Sequence, residues 1–303
     1  MNVFVAGASG ALGIPLIHRL LDAGHEVIGL TRSGFGAEAL SALGATPVVA
    51  DALDRDALLR AVDGLAADAI VHELTALKSP PRRHAGMVPT DRLREEGTAN
   101  LLAAADVLGA KRFVTQSIVF GYGFGDHGPQ VLDEAAPFGR PHGDANDPHL
   151  AAMLATEQQA FTAPEGVALR YGLLYGGDAE AMRTVLGRRG VPVARGGLLA
   201  WVHHDDAADA TVAALDRGQA GEAYNVVDDE PAAWRDVYTA MAAALGTPAP
   251  RRVPRWAFRL AAPYVATFAL DTTMRVSNAK AAAELGWRPR FPTYRDGVAA
   301  MAG

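Results

Sequence analysis

The heptapeptide Gly7-Ala8-Ser9-Gly10-Ala11-Leu12-Gly13 follows the apolar run Val3 to Ala6 and precedes apolar residues spaced as on a helix at Ile14, Ile17, Leu20 and Leu21. Glycines at every third position between a strand and a helix suit the phosphates of a dinucleotide. Gly7 permits the tight turn, Gly10 lets backbone amides approach a pyrophosphate, and Gly13 lets helix and strand pack closely. The anion would sit at the positive end of the helix, bordered by Ser9, Ala11 and Leu12. An ordinary glycine-rich turn is the plain alternative.

The second strand ends in Gly29-Leu30-Thr31-Arg32-Ser33. A site that prefers NAD places a carboxylate there, which accepts from the ribose 2′-hydroxyl and repels a 2′-phosphate. Thr31 and Arg32 stand there instead, and an arginine can grip a phosphate with two charge-assisted hydrogen bonds. The expected cofactor is therefore NADP(H), with NAD(H) as the other candidate and a solvated surface arginine as the neutral reading of Arg32. After the third strand, Asp51 could accept from an adenine amino group, while Asp54 suits a helix N-cap.

The scaffold for these groups follows from the alternation of signals. Strand and helix patterns take turns through Val27 to Leu30, Pro47 to Ala50, Leu58 to Leu65, Ala69 to His72, Thr98 to Leu108, Arg112 to Ser117, Leu150 to Phe161 and Val167 to Tyr171. Near-continuous apolar strands alternating with helices imply right-handed crossovers and a parallel sheet covered on both faces. The fold class is α/β: a Rossmann-type doubly wound parallel sheet with a smaller helix-rich C-terminal substrate lobe. Residues 1–171 would form the dinucleotide-binding part, with 198–227 returning to it, and 172–303 would be mainly the lobe. Helices are expected there at Asp205 to Asp216, Ala232 to Leu245, Pro254 to Phe268 and Asn278 to Leu285.

Composition narrows the partners. The 303 residues are 50% hydrophobic, enough for a large core, and a disordered chain is excluded. A net charge of −6 without a block of like charges offers nucleic acid no footprint, so a small-molecule substrate is expected. The absence of cysteine removes disulfides, thiolate metal sites and cysteine nucleophiles. The first residues lack the marks of a signal peptide, and Trp256 to Leu270 is too short for a bilayer and interrupted by Arg259 and Pro263. A cytoplasmic protein without a membrane partner is expected, its 256–270 segment packing as a buried or lid helix.

The motifs together resemble the extended short-chain dehydrogenase/reductase family, the NAD-dependent epimerase/dehydratase group. The residues that carry the likeness are "GASGALG" at 7–13, "DALD" at 51–54, "AIVHELTA" at 69–76, "EGTANLLAAA" at 96–105 and "RFVTQSIVFGYG" at 112–123. It continues through "ALRYGLLYGG" at 168–177, "WVHHDDAADA" at 201–210, "EAYNVV" at 222–227 and "VSNAKAAAELGWRP" at 276–289, in the right order along the chain. The resemblance implies a nicotinamide dinucleotide on the first half and a small polar substrate under the second. It assigns Gly7, Gly10 and Gly13 to the pyrophosphate, Asp51 and Ala52 to the adenine, and His72 and Leu74 to the backbone wall near the ribose. Ser117 matches the active-site serine, and Asn100 a helix residue that holds an internal strand or water. His72 and Asn100 read equally well as buried structural residues. A homodimer through the helices at 92–108 and 149–161 is implied too, although alanine-rich helices also pack inside monomers.

One departure from that family bears on the chemistry. Its catalytic helix carries Tyr-x-x-x-Lys, followed four residues later by Glu in many members. Taking Glu157 as that anchor puts Met153 at the lysine position and His149 at the tyrosine position, and no Tyr-x-x-x-Lys occurs elsewhere. A tyrosine titrates at about 10 and needs the lysine cation to work near neutrality, whereas an imidazole at about 6.5 does not. The two changes are consistent with His149 as the acid/base and Met153 bordering the nicotinamide ribose.

Other readings stay open. The proton donor could be Tyr122, Tyr171, His203 or His204; hydride chemistry could be replaced by that of a cyclase, lyase or isomerase, or by cofactor sensing. His149 could also be a solvent-facing helix start, with Met153 simply in the core. The polar stretch between Ser117 and His149 is expected to form a substrate-facing lid carrying His127, Asp133, Glu134 and Arg140, or else mobile surface. His203-His204-Asp205-Asp206 superficially suggests a metal, but neighbours along a chain point apart, Asp205 and Asp206 suit capping, and no metal is expected. The preferred expectation is NADP(H)-dependent hydride transfer at a carbonyl or alcohol carbon. In it Ser117 orients the oxygen, and His149 or Tyr122 exchanges the proton.

Overall fold

The computed structural model describes residues 1–77, 79–188 and 191–301. Alternation along the first strand shows how the layers form. Val3 and Val5 of Asn2–Ala6 pack with Leu16, Ile17 and Leu20, while Phe4 and Ala6 pack on the other face with Leu58 and Leu101. Both faces of the strand are apolar because both are covered, as a parallel sheet requires.

Seven parallel strands make the sheet: Asn2–Ala6, Glu26–Thr31, Thr46–Val49, Ala69–His72, Arg112–Ile118, Glu165–Tyr171 and Glu222–Val226. Counted along the chain, they lie in the order seventh, sixth, fifth, fourth, first, second, third. The chain thus runs outward through the second and third strands, then crosses to the fourth on the other side of the first. That reversal opens a crevice at the carboxyl ends of the first and fourth strands, where open α/β sheets take their ligands.

Beyond the sixth strand, His204–Arg217 packs on the first helix, Gly13–Asp22, and the seventh strand joins the sheet edge. Short strands of this half pair outside the sheet: Leu173–Tyr175 with Trp201–His203, and Leu198–Leu199 with Ala232–Ala233, which follows the seventh strand. A third apolar cluster, centred on Trp201, Trp234, Phe258 and Phe268, fills the C-terminal lobe.

Three expected elements differ in detail. The 92–108 helix is interrupted: Val88–Arg92 and Thr98–Leu108 flank a π-helical turn at Leu93–Gly97, a feature frequent at functional sites. The 254–268 helix is two, Arg255–Ala261 and Pro263–Ala269, because Pro263 lacks an amide proton and disfavours helical geometry at Ala262, whose φ is −146°. The second of these packs into the lobe, whereas the first leaves Trp256 67% and Leu260 73% exposed. Among the described residues no helix is long and apolar enough to cross a membrane. Finally, the segment expected as a lid is partly a strand, since Asp126–Leu132 pairs with Thr273–Val276 and ties it to the lobe.

Candidate active site

At the end of the first strand Gly7 has a φ of +97°, and a side chain there would press on the Glu73 carbonyl, 2.6 Å from where its Cβ would lie. A Cβ on Gly13 would collide with the Gly7 and Ala8 carbonyls, so the first helix can start this close to the strand only from glycine. Ser9, Gly10 and Ala11 are exposed on the rim, with Leu12 buried beneath. No side chain caps the helix start at Leu12 and no acidic residue sits in its first turn. Its positive end is therefore left for an external anion, and the turn fits a dinucleotide pyrophosphate.

Around it the remaining predicted residues take distinct places. Thr31 is buried against Gly36 and Ser33 caps the next helix through the Gly36 amide, while Arg32 between them is exposed just past the end of the second strand. Asp51 accepts from the Leu53 amide at 2.9 Å, Asp54 caps its helix, and Asn100 donates to the Ala52 carbonyl at 2.8 Å. Asn100 thus fixes the loop that would border an adenine.

Leu74 is held from two sides: its amide donates to His72 Nδ1 at 3.2 Å and its carbonyl accepts from Gln116 Nε2 at 2.8 Å. His72 Nε2 continues to Thr98 Oγ1, which contacts Thr156 Oγ1, itself 3.2 Å from Thr115 Oγ1. Burial pulls His72 down to about 4, so the ring is a neutral structural link. Tyr171 is equally enclosed, donating to Glu73 and meeting the Thr211 hydroxyl at 2.7 Å.

The Asp147–Ala160 helix carries His149, Met153 and Glu157 one turn apart, all buried. Glu157 anchors one network. It accepts from Ser117 Oγ at 2.5 Å and from Arg170, whose Nη1 reaches the Tyr122 hydroxyl while Tyr122 donates to Asn225 at 2.8 Å. The Glu157 bonds hold the Arg170 guanidinium above its usual value against the burial that opposes it. Burial raises Tyr122. Ser117 and Tyr122 are thereby brought together, but with both hydroxyls committed to protein partners.

His149 belongs to a separate cluster. Its Nδ1 lies 2.6 Å from Asp91 Oδ2, and its Nε2 lies 3.1 Å from Nδ1 of His84, whose ring is within 5° of parallel. A carboxylate only accepts, so Nδ1 of His149 carries the proton and Nε2 is left as the accepting nitrogen facing His84. Tyr264 presents itself edge-on to both rings from the lobe. His149 is 2% exposed and His84 partly exposed, and burial together with the neighbouring His149 lowers His84. Arg94, on the π-helical turn, puts Nη1 3.7 Å from Asp91 Oδ1. Met153 joins the lobe's apolar cluster.

The remaining candidates are spoken for. His203 caps its helix through the Asp205 amide, His204 contacts the Tyr175 carbonyl, and Asp206 accepts from the Arg290 and Phe291 amides instead of capping its own helix. Within the expected lid, Glu134 accepts from the Asn225 amide and His127 contacts the Gly123 carbonyl. Asp133 accepts from the Ala135 amide, and Arg140 borders a shallow hollow with His142 and Asp147. Asp91, His84, Arg94, Gln116 and Tyr264 are the site residues that spacing does not reveal. His84 lies in a Pro- and Arg-rich loop, and Asp91 and Arg94 read as an ordinary charged helix face.

Comparison with known proteins places the chain in a family and a fold. The pattern described as the NAD dependent epimerase/dehydratase family matches residues 3–227. A Streptomyces 3-diazoavenalumate denitrifying reductase is 38% identical over 98% of this chain and 99% of its own. A 2-alkyl-3-oxoalkanoate reductase of Stenotrophomonas maltophilia is 28% identical over 82% of this chain and 77% of its own. Among solved structures, the Bifidobacterium longum UDP-glucose 4-epimerase in complex with NAD+ and UDP superposes with a TM-score of 0.79 at 20% identity, covering 100% of this chain and 97% of that one.

Proposed function

The chain belongs to the NAD dependent epimerase/dehydratase family, and from that premise we propose that it is an NADP(H)-dependent reductase of a small organic molecule, with His149 in the proton-exchanging role. A bound nicotinamide dinucleotide supplies the hydride. Gly7, Gly10 and Gly13 hold its pyrophosphate at the uncapped helix end, Arg32 meets the 2′-phosphate, and the fixed backbone of Leu74 borders the ribose. The observation that carries the reading is the 2.6 Å contact between Asp91 and His149. It gives an imidazole one defined tautomer where a tyrosine would need a lysine, and Met153 offers no cation to oppose protonation of the ring.

Proton exchange runs through Nε2 of His149 and the His84 ring beside it, which connects a sealed imidazole to the partly exposed rim. Ser117, Glu157, Arg170 and Tyr122 support the wall of the site from beneath. The exposed Ala99, Val107 and Ala151 favour a homodimer face on the Thr98–Leu108 and Asp147–Ala160 helices.

A second reading concerns the hydride acceptor. The Streptomyces relative is named for reductive removal of nitrogen from a diazo compound. Hydride added to a terminal diazo nitrogen creates no alkoxide at carbon, so the acceptor itself makes no demand for a tyrosine and lysine pair. The test is calorimetric titration with NADPH and NADH, followed by NADPH oxidation against carbonyl compounds and against a diazo-substituted phenol with dinitrogen measured. NADPH bound at least about tenfold more tightly than NADH, with that margin lost in Arg32→Ala, supports the cofactor assignment. Failure of both nucleotides to bind overturns the reading.

A further inference from the structure

Arg94 is the one charged side chain in the His149 cluster whose bonding is left incomplete on several atoms. The residue is 5% exposed, and its Nε and Nη1 are sealed without a hydrogen-bond partner among the described residues. Asp91 Oδ1, the nearest carboxylate oxygen, stands 3.7 Å from Nη1, beyond hydrogen-bond reach, and is likewise unpartnered. Burial with so little return pulls the guanidinium below its ordinary value. Buried arginines normally spend their donors on carboxylates or carbonyls, and leaving them idle is costly.

The charge count points the same way. Asp91 is shared by His149 and Arg94, so protonation of His149 leaves two cations against a single carboxylate. A bound anion would restore the balance and satisfy the idle donors of the guanidinium fork. Tyr264 covers this cluster from the lobe helix Pro263–Ala269, and its amide is tied to the Arg82 carbonyl, whereas the phosphate turn lies at Gly7–Gly13 on the sheet. An anion at Arg94 would thus be contacted by the C-terminal lobe, where the fold expects a substrate, and not by the glycine turn.

We propose that Arg94 binds a carboxylate of the substrate beside His149, which makes the substrate class an aromatic or unsaturated carboxylate held between this guanidinium and the His84, His149 and Tyr264 rings. The proposal rests on the reading of the site given above and names the group by which that site would select its substrate.

The experiment uses the full chain, with and without saturating NADP+, and titrates benzoate and 4-hydroxycinnamate against their primary amides by calorimetry. Wild type is expected to bind the carboxylates and to bind the amides about ten- to a hundredfold more weakly. Arg94→Met should lose the carboxylates by a similar factor, Arg94→Lys should fall between, and NADPH affinity should not change in either. Arg94→Met also removes the cation 3.7 Å from the buried Asp91, so the melting temperature of each variant is measured beside its binding, and Arg94→Lys, which keeps the charge, separates carboxylate recognition from stability. The proposal is overturned if neither carboxylate binds wild type, if amides bind as well as carboxylates, or if Arg94→Met leaves carboxylate binding intact. It is also overturned if that variant weakens NADPH instead, which would make the cofactor the occupant. Loss of NADPH binding in wild type would overturn the earlier reading alone, since the carboxylate comparison is made without cofactor as well.

Discussion

Asp91 Oδ2 and His149 Nδ1 meet at 2.6 Å across the seam between the Val88–Arg92 and Asp147–Ala160 helices. The bond sets the proton on Nδ1 and turns Nε2 toward His84, so a residue 58 positions away along the chain decides what His149 can do. Asp91→Asn keeps the shape but lets the amide bond to either tautomer. Turnover is expected to fall by about 10²- to 10⁴-fold with NADPH affinity unchanged. Steady-state kinetics beside calorimetry checks this, and retained turnover would show that Asp91 does not orient the ring.

His84 provides the second test. If it passes protons between His149 and the rim, His84→Ala should lower kcat by about tenfold or more, with partial recovery on adding imidazole. A variant with unchanged kcat would reduce His84 to a packing contact with Tyr264.

The Ser117 network separates support from chemistry. Ser117→Ala removes one bond to Glu157 and should cost about 1–2 kcal/mol of stability, whereas Glu157→Gln leaves the buried Arg170 uncompensated and should cost about 3–5 kcal/mol. Denaturant unfolding measures both. Loss of turnover in Ser117→Ala at full stability would instead put that hydroxyl on the substrate.

How much of this was legible in the sequence depended on whether the signal was local. The turn at Gly7 to Gly13 and the flanking apolar runs carry their meaning within a dozen residues, because glycine is required by backbone contacts that a Cβ would violate. Met153 and His149 could be placed because they stand at fixed helical offsets from Glu157. Asp91, His84 and Arg94 could not, since each matters only through contacts made between separate elements, and a charged stretch such as 91–96 looks the same whether it faces water or a neighbour. Pro263 marks the break in the 254–268 segment, but the continuous apolar pattern on both sides of it is equally that of one helix.

A pH effect on stability is expected from Asp228. Both its carboxylate oxygens are buried, and burial, opposed by the nearby Tyr175 hydroxyl but reinforced by Asp206 and Asp229, pushes it up to about 8. Its pKa is raised on folding, so the folded state holds a proton that the unfolded chain releases. The stabilisation is complete below the unfolded value of about 4 and declines as pH rises to about 8, by at most about 1.4 kcal/mol per pH unit. Asp228→Asn removes this dependence, so its melting temperature should gain on wild type from pH 5 to pH 8. An equal difference at both pH values would mean that Asp228 is already ionised in the folded protein.

The most direct measurement compares His149→Ala with wild type in two assays on one preparation: NADPH affinity by calorimetry, and NADPH oxidation with the best substrate of the panel. With His149 as the proton-exchanging residue, affinity stays within about threefold of wild type and turnover falls by about 10²- to 10⁴-fold. Turnover at the wild-type rate with intact NADPH binding would contradict that role and return the proton to another residue.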